Sequence, residues 1–239
     1  MPDWLSLPVV GTGYWPCQEM RVKVQGHELL LKPETRETEK SIHVELRRIT
    51  EPEAFTLASR LLSLLSWCSG QPFESLDGFV WRRPEPVPKQ PRLSGELIDF
   101  PIFRDIPRDP KGKLALALYR EARSINSIPF SFLSYFKILN IFWRDNEIVD
   151  GLRTLLPFLK DGQAQKRINA LATQTQDVAQ YLYTSGRCAV AHAYAQPIID
   201  PDDVTDSRRL SQDMWIIRAA AEYLIENELH ISRAIIAVG

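Results

Sequence analysis

Arg187 and His192 are the two side chains whose types and spacing can do chemistry together in this chain, within the run Tyr183–Ala193, YTSGRCAVAHA. A guanidinium clamps phosphate oxygens through two parallel donors, and an imidazole exchanges a proton near neutral pH. The pair suits metal-free cleavage of an RNA phosphodiester, which needs a base for the 2′-hydroxyl proton, an acid for the leaving 5′-oxygen and a cation for the phosphorane charge. On an ideal helix five residues turn about 500°, which leaves the two side chains roughly 140° apart. One continuous helix therefore does not aim both at one atom. The spacing points either to a helix end, where Gly186 relaxes the geometry, or to a site that a second chain completes. The alternative is structural: Arg187 pairs with a loop aspartate and His192 is a capped histidine.

Other constellations are weaker. Cys188 and His192 lie four apart and share a helix face, which admits a thiolate/imidazole nucleophile pair. No acid at a fixed spacing orients the histidine, and Ala189, Val190 and Ala191 make Cys188 read as a small buried filler. Asp200, Asp202, Asp203 and Asp206 lack the spacing of a calcium loop, and turn formation and helix capping explain them. His27, His43 and His230 have no partners in sequence and read as structural or solvent-facing.

Composition is that of an ordinary globular protein, with 239 residues, 44% hydrophobic and 25% charged. Cys17, Cys68 and Cys188 are odd in number and show no metal-ligand spacing, so neither a disulfide framework nor a metal or other cofactor is expected, and a reducing cytoplasm is. The N-terminus lacks a basic leader, and no stretch reaches the ~18 apolar residues of a membrane span. The net charge of −1 is unevenly spread: Arg82 to Arg123 holds ten basic residues against six acidic ones, net +4, which leaves −5 elsewhere. Arg82, Arg83, Arg104, Arg108, Lys111 and Lys113 are the candidates for tracking a phosphate backbone; a solvated loop of mixed charge is the alternative.

The elements that must position these residues divide the chain near residue 105. Met20–Val24 and Glu28–Leu31, joined by Gln25-Gly26-His27, read as a hairpin with Gly26 at positive φ, and Ser41–Ile49 alternates like a half-buried strand. Thr50, Pro52 and Glu53 announce a helix to about Cys68, closed by Gly70. Phe79–Trp81 adds a short strand before the prolines at 84, 86, 88 and 91. From Lys113 onward the pattern is helical: one helix to about Ser127, an almost wholly apolar one from Pro129 to Asp145 with a polar stripe of Ser134, Lys137 and Asn140, a third from Ile148 to Leu159, a long one from Gly162 past Leu182, and a last one on Met214, Ile217, Ala221 and Leu224. The expected fold is mainly α: residues 106–239 form a helical bundle, preceded over 1–105 by a small α+β part with a Pro-rich linker at its end.

Arg-x4-His near a helix end in a C-terminal helical bundle resembles the HEPN domains. More narrowly, RCAVAHA followed by PIIDPDD and by Arg209-Leu210 resembles the HEPN-related methylamine-utilisation J proteins. One departure is Cys188, since catalytic HEPN members usually carry a polar residue after the arginine. The resemblance implies a metal-independent endoribonuclease acting on single-stranded RNA, with Arg187 and His192 facing a second copy across a homodimer axis. It equally implies a non-catalytic counterpart that dimerises or binds RNA or protein, including an operon-encoded partner. Nothing in the chain resembles a quinone or flavin site.

Overall fold

The computed structural model describes residues 3–76, 78–88, 106–192, 199–200 and 203–233. The chain forms two compact units: Met1–Ser124 with Arg233–Gly239, and Ile125–Ser232.

The first unit corrects the expected fold class. Its N-terminal part is no small appendage to a mainly α chain. Among the described residues it carries a six-stranded antiparallel sheet of β1 (Trp4–Gly11), β2 (Met20–Val24), β3 (His27–Lys32), β4 (Ser41–Glu45), β5 (Phe73–Ser75) and β6 (Phe79–Trp81). The order is β2-β3-β4-β1-β5, with β6 also on β1. The organising strand is β1, which sequence patterning misses for two reasons. Leu5, Ser6, Leu7 and Val9 are all buried, so both faces are covered and no polar alternation survives. Pro8, which normally argues against a central strand, sits inside it, and its carbonyl accepts from the Leu76 N–H at 2.9 Å.

The β2–β3 hairpin is tighter than its sequence suggests. His27 is already in β3, and the two-residue turn holds both Gln25 (φ 49°) and Gly26 (φ 85°) in the left-handed region, the geometry that matches the strand twist. In the middle of the sheet, fully buried His43 lies between two hydroxyls, Ser6 Oγ at 2.8 Å from Nδ1 and Ser41 Oγ at 2.9 Å from Nε2. A neutral imidazole has one donor and one acceptor, so one serine donates and the other accepts. Burial, aided by the Lys32 charge, lowers its pKa to about 3. Because the unfolded histidine titrates near 6.5, the native state refuses a proton that the unfolded state takes. This contribution to stability is intact above pH 6.5 and declines by up to about 1.4 kcal/mol per pH unit as pH falls toward 3. Urea titrations at pH 7.5, 6 and 5 should show a shallower pH dependence for His43→Gln than for the parent chain; equal slopes would refute the assignment.

Helix α1 (Glu51–Ser69) begins at Thr50, whose backbone N–H and hydroxyl both donate to Glu53 Oε2 at 2.9 and 2.7 Å, and it ends at Gly70 with φ 64°. It packs on β1, β4 and β5. Helix α2 (Pro110–Ser124) packs on α1 within this same unit. Trp67 meets Tyr119 edge-on at 5.1 Å, and the Arg233 guanidinium sits 4.4 Å from the Trp67 ring centre while donating to the Tyr119 hydroxyl.

The second unit is helical: α3 (Ile128–Leu139), α4 (Ile148–Leu155) with a 3₁₀ turn at Leu156–Phe158, α5 (Gly162–Ala172), α6 (Val178–Tyr181), a π-helical segment (Leu182–Cys188), α7 (Ala189–Ala191) and α8 (Val204–Asn227). Its core is built on α3 against α8; Phe132, Tyr135, Phe136, Ile138 and Leu139 of α3 are buried, as are Ile216, Ile217, Ala220, Ala221 and Leu224 of α8. Two expected helices are shorter than periodicity suggests. The apolar run to Asp145 leaves the helix at Leu139. Asn140 Nδ2 then bonds Asp145 Oδ1 at 3.0 Å, and Trp143 lies over Gly151, where a Cβ would be 2.4 Å from the indole. The long helix from Gly162 breaks after Ala172. Thr175 and Asp177 turn their side chains to nearby backbone, and Asp177 starts α6 by accepting from the Gln180 N–H at 3.0 Å. No glycine or proline marks that break. Among the described residues no helix is long and apolar enough to cross a membrane.

Candidate functional site

The element that carries the candidate pair is one helical run, α6 through α7, whose middle turns are π rather than α. A π segment inserts a residue into the turn and is found disproportionately at functional sites. Here the segment packs closely on the core. Gly186 is buried against α3, and a Cβ there would lie 2.7 Å from Phe132 Cζ, so only glycine lets the segment come this close. In an open helix Gly→Ala stabilises by about 1 kcal/mol. Gly186→Ala should instead destabilise by about 1–3 kcal/mol through overpacking against Phe132. An unchanged or raised urea midpoint would contradict this packing.

Arg187 sits in the π segment and His192 is the residue after α7, with extended backbone (φ −133°, ψ 112°) and its N–H on the Cys188 carbonyl at 3.0 Å. The pair thus straddles a helix end, with Gly186 in the π segment directly before Arg187. Arg187 does pair with an aspartate, but not with the loop. Its Nη2 is 3.2 Å from Asp145 Oδ2, its guanidinium is 5.6 Å from the Tyr183 ring centre, and Nη1 lies 3.9 Å from Cys188 Sγ. Asp145 in turn accepts from Asn140, the last residue of the polar stripe; of the other two, Ser134 is buried and Lys137 exposed. Cys188 is half-buried beside Arg187 and Tyr183 rather than a buried filler; Ala189 is the buried neighbour. Burial pushes the Tyr183 hydroxyl above its ordinary pKa, with Cys188 and Asp145 adding to this and Arg187 opposing it. Asp145 and Tyr183 are the members that sequence reading missed. Tyr183 precedes Arg187 by one turn, a signal that was there to use, whereas Asp145 lies 42 residues away and carries none.

The loop aspartates cap and turn the chain. Asp203 accepts from the Thr205 and Asp206 N–H groups at 2.6 and 3.4 Å, and Asp206 accepts from the Asp200 N–H at 3.0 Å. Asp202 lies outside the described residues. Among the described residues no group of three His, Cys, Asp or Glu is placed to hold a metal ion.

Behind the π segment lies a buried ionic cluster. Asp213 of α8, fully buried, takes the Arg167 guanidinium at 2.7 and 2.8 Å and the Tyr181 hydroxyl at 3.0 Å; Arg209 Nη1 lies 3.6 Å away. Arg209 also donates to the Ser185 carbonyl at 3.0 Å, two residues before Arg187. Burial raises the Asp213 carboxyl above the usual range, against the pull of Arg167, Tyr181 and Arg209. The sequence signal was one helix face, Asp206, Arg209 and Asp213 at i, i+3 and i+7.

The six basic candidates belong to the first unit, while Arg187 and His192 belong to the second. Arg82 and Arg83 are exposed just past β6. Arg108, Lys111 and Lys113 gather at the start of α2, where two lysines in the first turn oppose the helix dipole and favour an anion nearby. Arg104 lies outside the described residues, as do Lys89, Pro91 and Arg92 of the Pro-rich linker.

Residues 115–226 match the family model described as Methylamine utilization protein MauJ. Arg187 and His192, the π segment and the Asp213 cluster all fall within the matched stretch, which is therefore MauJ-like. No curated protein and no solved structure matches the chain.

Proposed function

We propose that the protein is a metal-independent endoribonuclease of the HEPN type, in which Arg187 and His192 act on single-stranded RNA and a second copy of the chain completes the site. The observation that carries this reading is the seat of Arg187. Gly186 and Arg209 hold its backbone in a π turn against the core, and its guanidinium remains partly exposed, bound to a surface aspartate by a 3.2 Å contact that a phosphate can replace.

In the reaction, the 2′-oxygen attacks phosphorus in line with the departing 5′-oxygen. His192 takes the 2′-hydroxyl proton and a proton returns to the 5′-oxygen as that bond breaks, leaving a 2′,3′-cyclic phosphate and a 5′-hydroxyl. Arg187 spans the non-bridging oxygens while charge accumulates on them. Asp145 and Tyr183 keep the guanidinium in place before RNA arrives. A flexible backbone reaches the in-line geometry more readily than a duplex, which favours single strands, and Arg82, Arg83, Arg104, Arg108, Lys111 and Lys113 of the first unit are the candidates for attracting the polyanion.

The Arg187–Asp145 pair also favours a second reading, a non-catalytic dimerisation or RNA- or protein-binding module, because it neutralises the cation and Cys188 replaces the usual polar neighbour. Incubating the purified chain with labelled RNAs in EDTA separates the two. Cleavage to cyclic phosphates supports the enzyme, and intact RNA leaves the binding module. A monomer by light scattering at micromolar concentration would exclude a composite site.

A further inference from the structure

We propose that an open pocket of the first unit, between the β2–β3 turn and the first three turns of α1, binds a phosphate monoester attached to a planar or apolar body, as in a nucleoside 5′-monophosphate. The pocket holds about 400 Å³, within the range of small-molecule sites. Its lining brings together the arginines Arg48 and Arg60, the His27 ring and the apolar residues Ile49, Pro52 and Leu57. Neither arginine has an acidic partner among the described residues, unlike Arg21, Arg153, Arg167, Arg187, Arg209 and Arg218, which all do.

The acid in the lining, Glu53, stays ionised and offsets one of the two guanidinium charges, but its hydrogen bonds turn it toward the start of α1. Its Oε2 is taken by the N–H and hydroxyl of Thr50, which also hold its pKa below the usual carboxylate range. Two guanidiniums lining one pocket suit the oxygens of a phosphate, and Ile49, Pro52 and Leu57 suit a base or ring attached to it. Gln25, at the rim, is held at positive φ by the hairpin turn, so this side of the pocket is preformed. None of these residues belongs to the Arg187/His192 site, and the inference does not depend on that reading.

The phosphate can come from a free nucleotide or from the 5′ end of an RNA, and the experiment distinguishes them. Calorimetric titration of the full chain would compare adenosine 5′-monophosphate with adenosine, and a 5′-phosphorylated 2′-O-methyl tetraribonucleotide, which cannot be cleaved, with its 5′-hydroxyl form. At least one phosphorylated ligand should bind about tenfold or more tightly than its unphosphorylated counterpart, and Arg48→Gln/Arg60→Gln should lose about tenfold or more, as charged hydrogen bonds imply. Whichever phosphorylated ligand shows the difference identifies the source. If Arg60→Gln disturbs α1, Arg48→Gln alone, at an exposed position, carries the test. No binding, equal binding of the phosphorylated and unphosphorylated forms, or binding that survives both substitutions would overturn the proposal.

Discussion

Asp213→Ala should lower the unfolding free energy of the helical unit by about 3–5 kcal/mol, the range for removing one partner from a buried ion pair. The carboxylate is fully buried and serves three helical segments at once: Arg167 from α5, Tyr181 from α6 and Arg209 from α8. Without it, the Arg167 guanidinium, 15% exposed, loses its carboxylate, Arg209 retains only Asp206 of its two carboxylates, at 3.9 Å, and the Tyr181 hydroxyl loses its acceptor. That uncompensated charge sets the cost, more than the loss of any one contact. Asp213→Asn keeps the volume and one acceptor, so it should fall between the two, with a loss of at least about 1 kcal/mol. Urea unfolding followed by far-UV circular dichroism measures both. A loss under about 1 kcal/mol for Asp213→Ala would mean that the cluster is solvated and does not hold the unit together. A double-mutant cycle with Arg167→Met offers a sharper check, since removing both charges should recover part of the loss.

His192→Ala should reduce the rate of RNA cleavage by about 10²-fold or more, the lower range for a general acid or base. The same substitution should leave stability within about 0.5 kcal/mol, because His192 is a half-buried residue beyond a helix end. Arg187→Lys should also lose most activity, since an ammonium cannot span two phosphate oxygens and at the same time lie over Tyr183. Cys188→Ala distinguishes the two enzymatic readings: it is nearly silent if the imidazole and guanidinium do the chemistry, and abolishes activity if a thiolate does. Cleavage that survives His192→Ala, or that stops when EDTA is added, would defeat the mechanism.

These two sets of variants probe residues that differed in legibility from the sequence. Wherever a residue's role is decided by its neighbours in the chain, the sequence sufficed. The Thr50 to Glu53 cap and Gly70 bound α1, Asp203 caps α8 and Gly26 marks the hairpin. Hydrogen bonds that close over two to four residues leave a local signature.

Tertiary structure decided whatever depends on a distant partner. Strand β1 is central because β4 pairs on one side of it and β5 and β6 on the other, and burial on both faces erases the alternation that would have announced it. The helix at Pro110 packs on α1, since an apolar stripe records that a helix is buried but not against what. The partner of Arg187 is Asp145 rather than a nearer loop aspartate, because the chain turns out of α3 at Asn140 and brings that carboxylate to the π segment. Asp213 finds Arg167 only when α5 packs on α8, and at that point burial turns an ordinary exposed-looking charge pattern into the ionic centre of the unit.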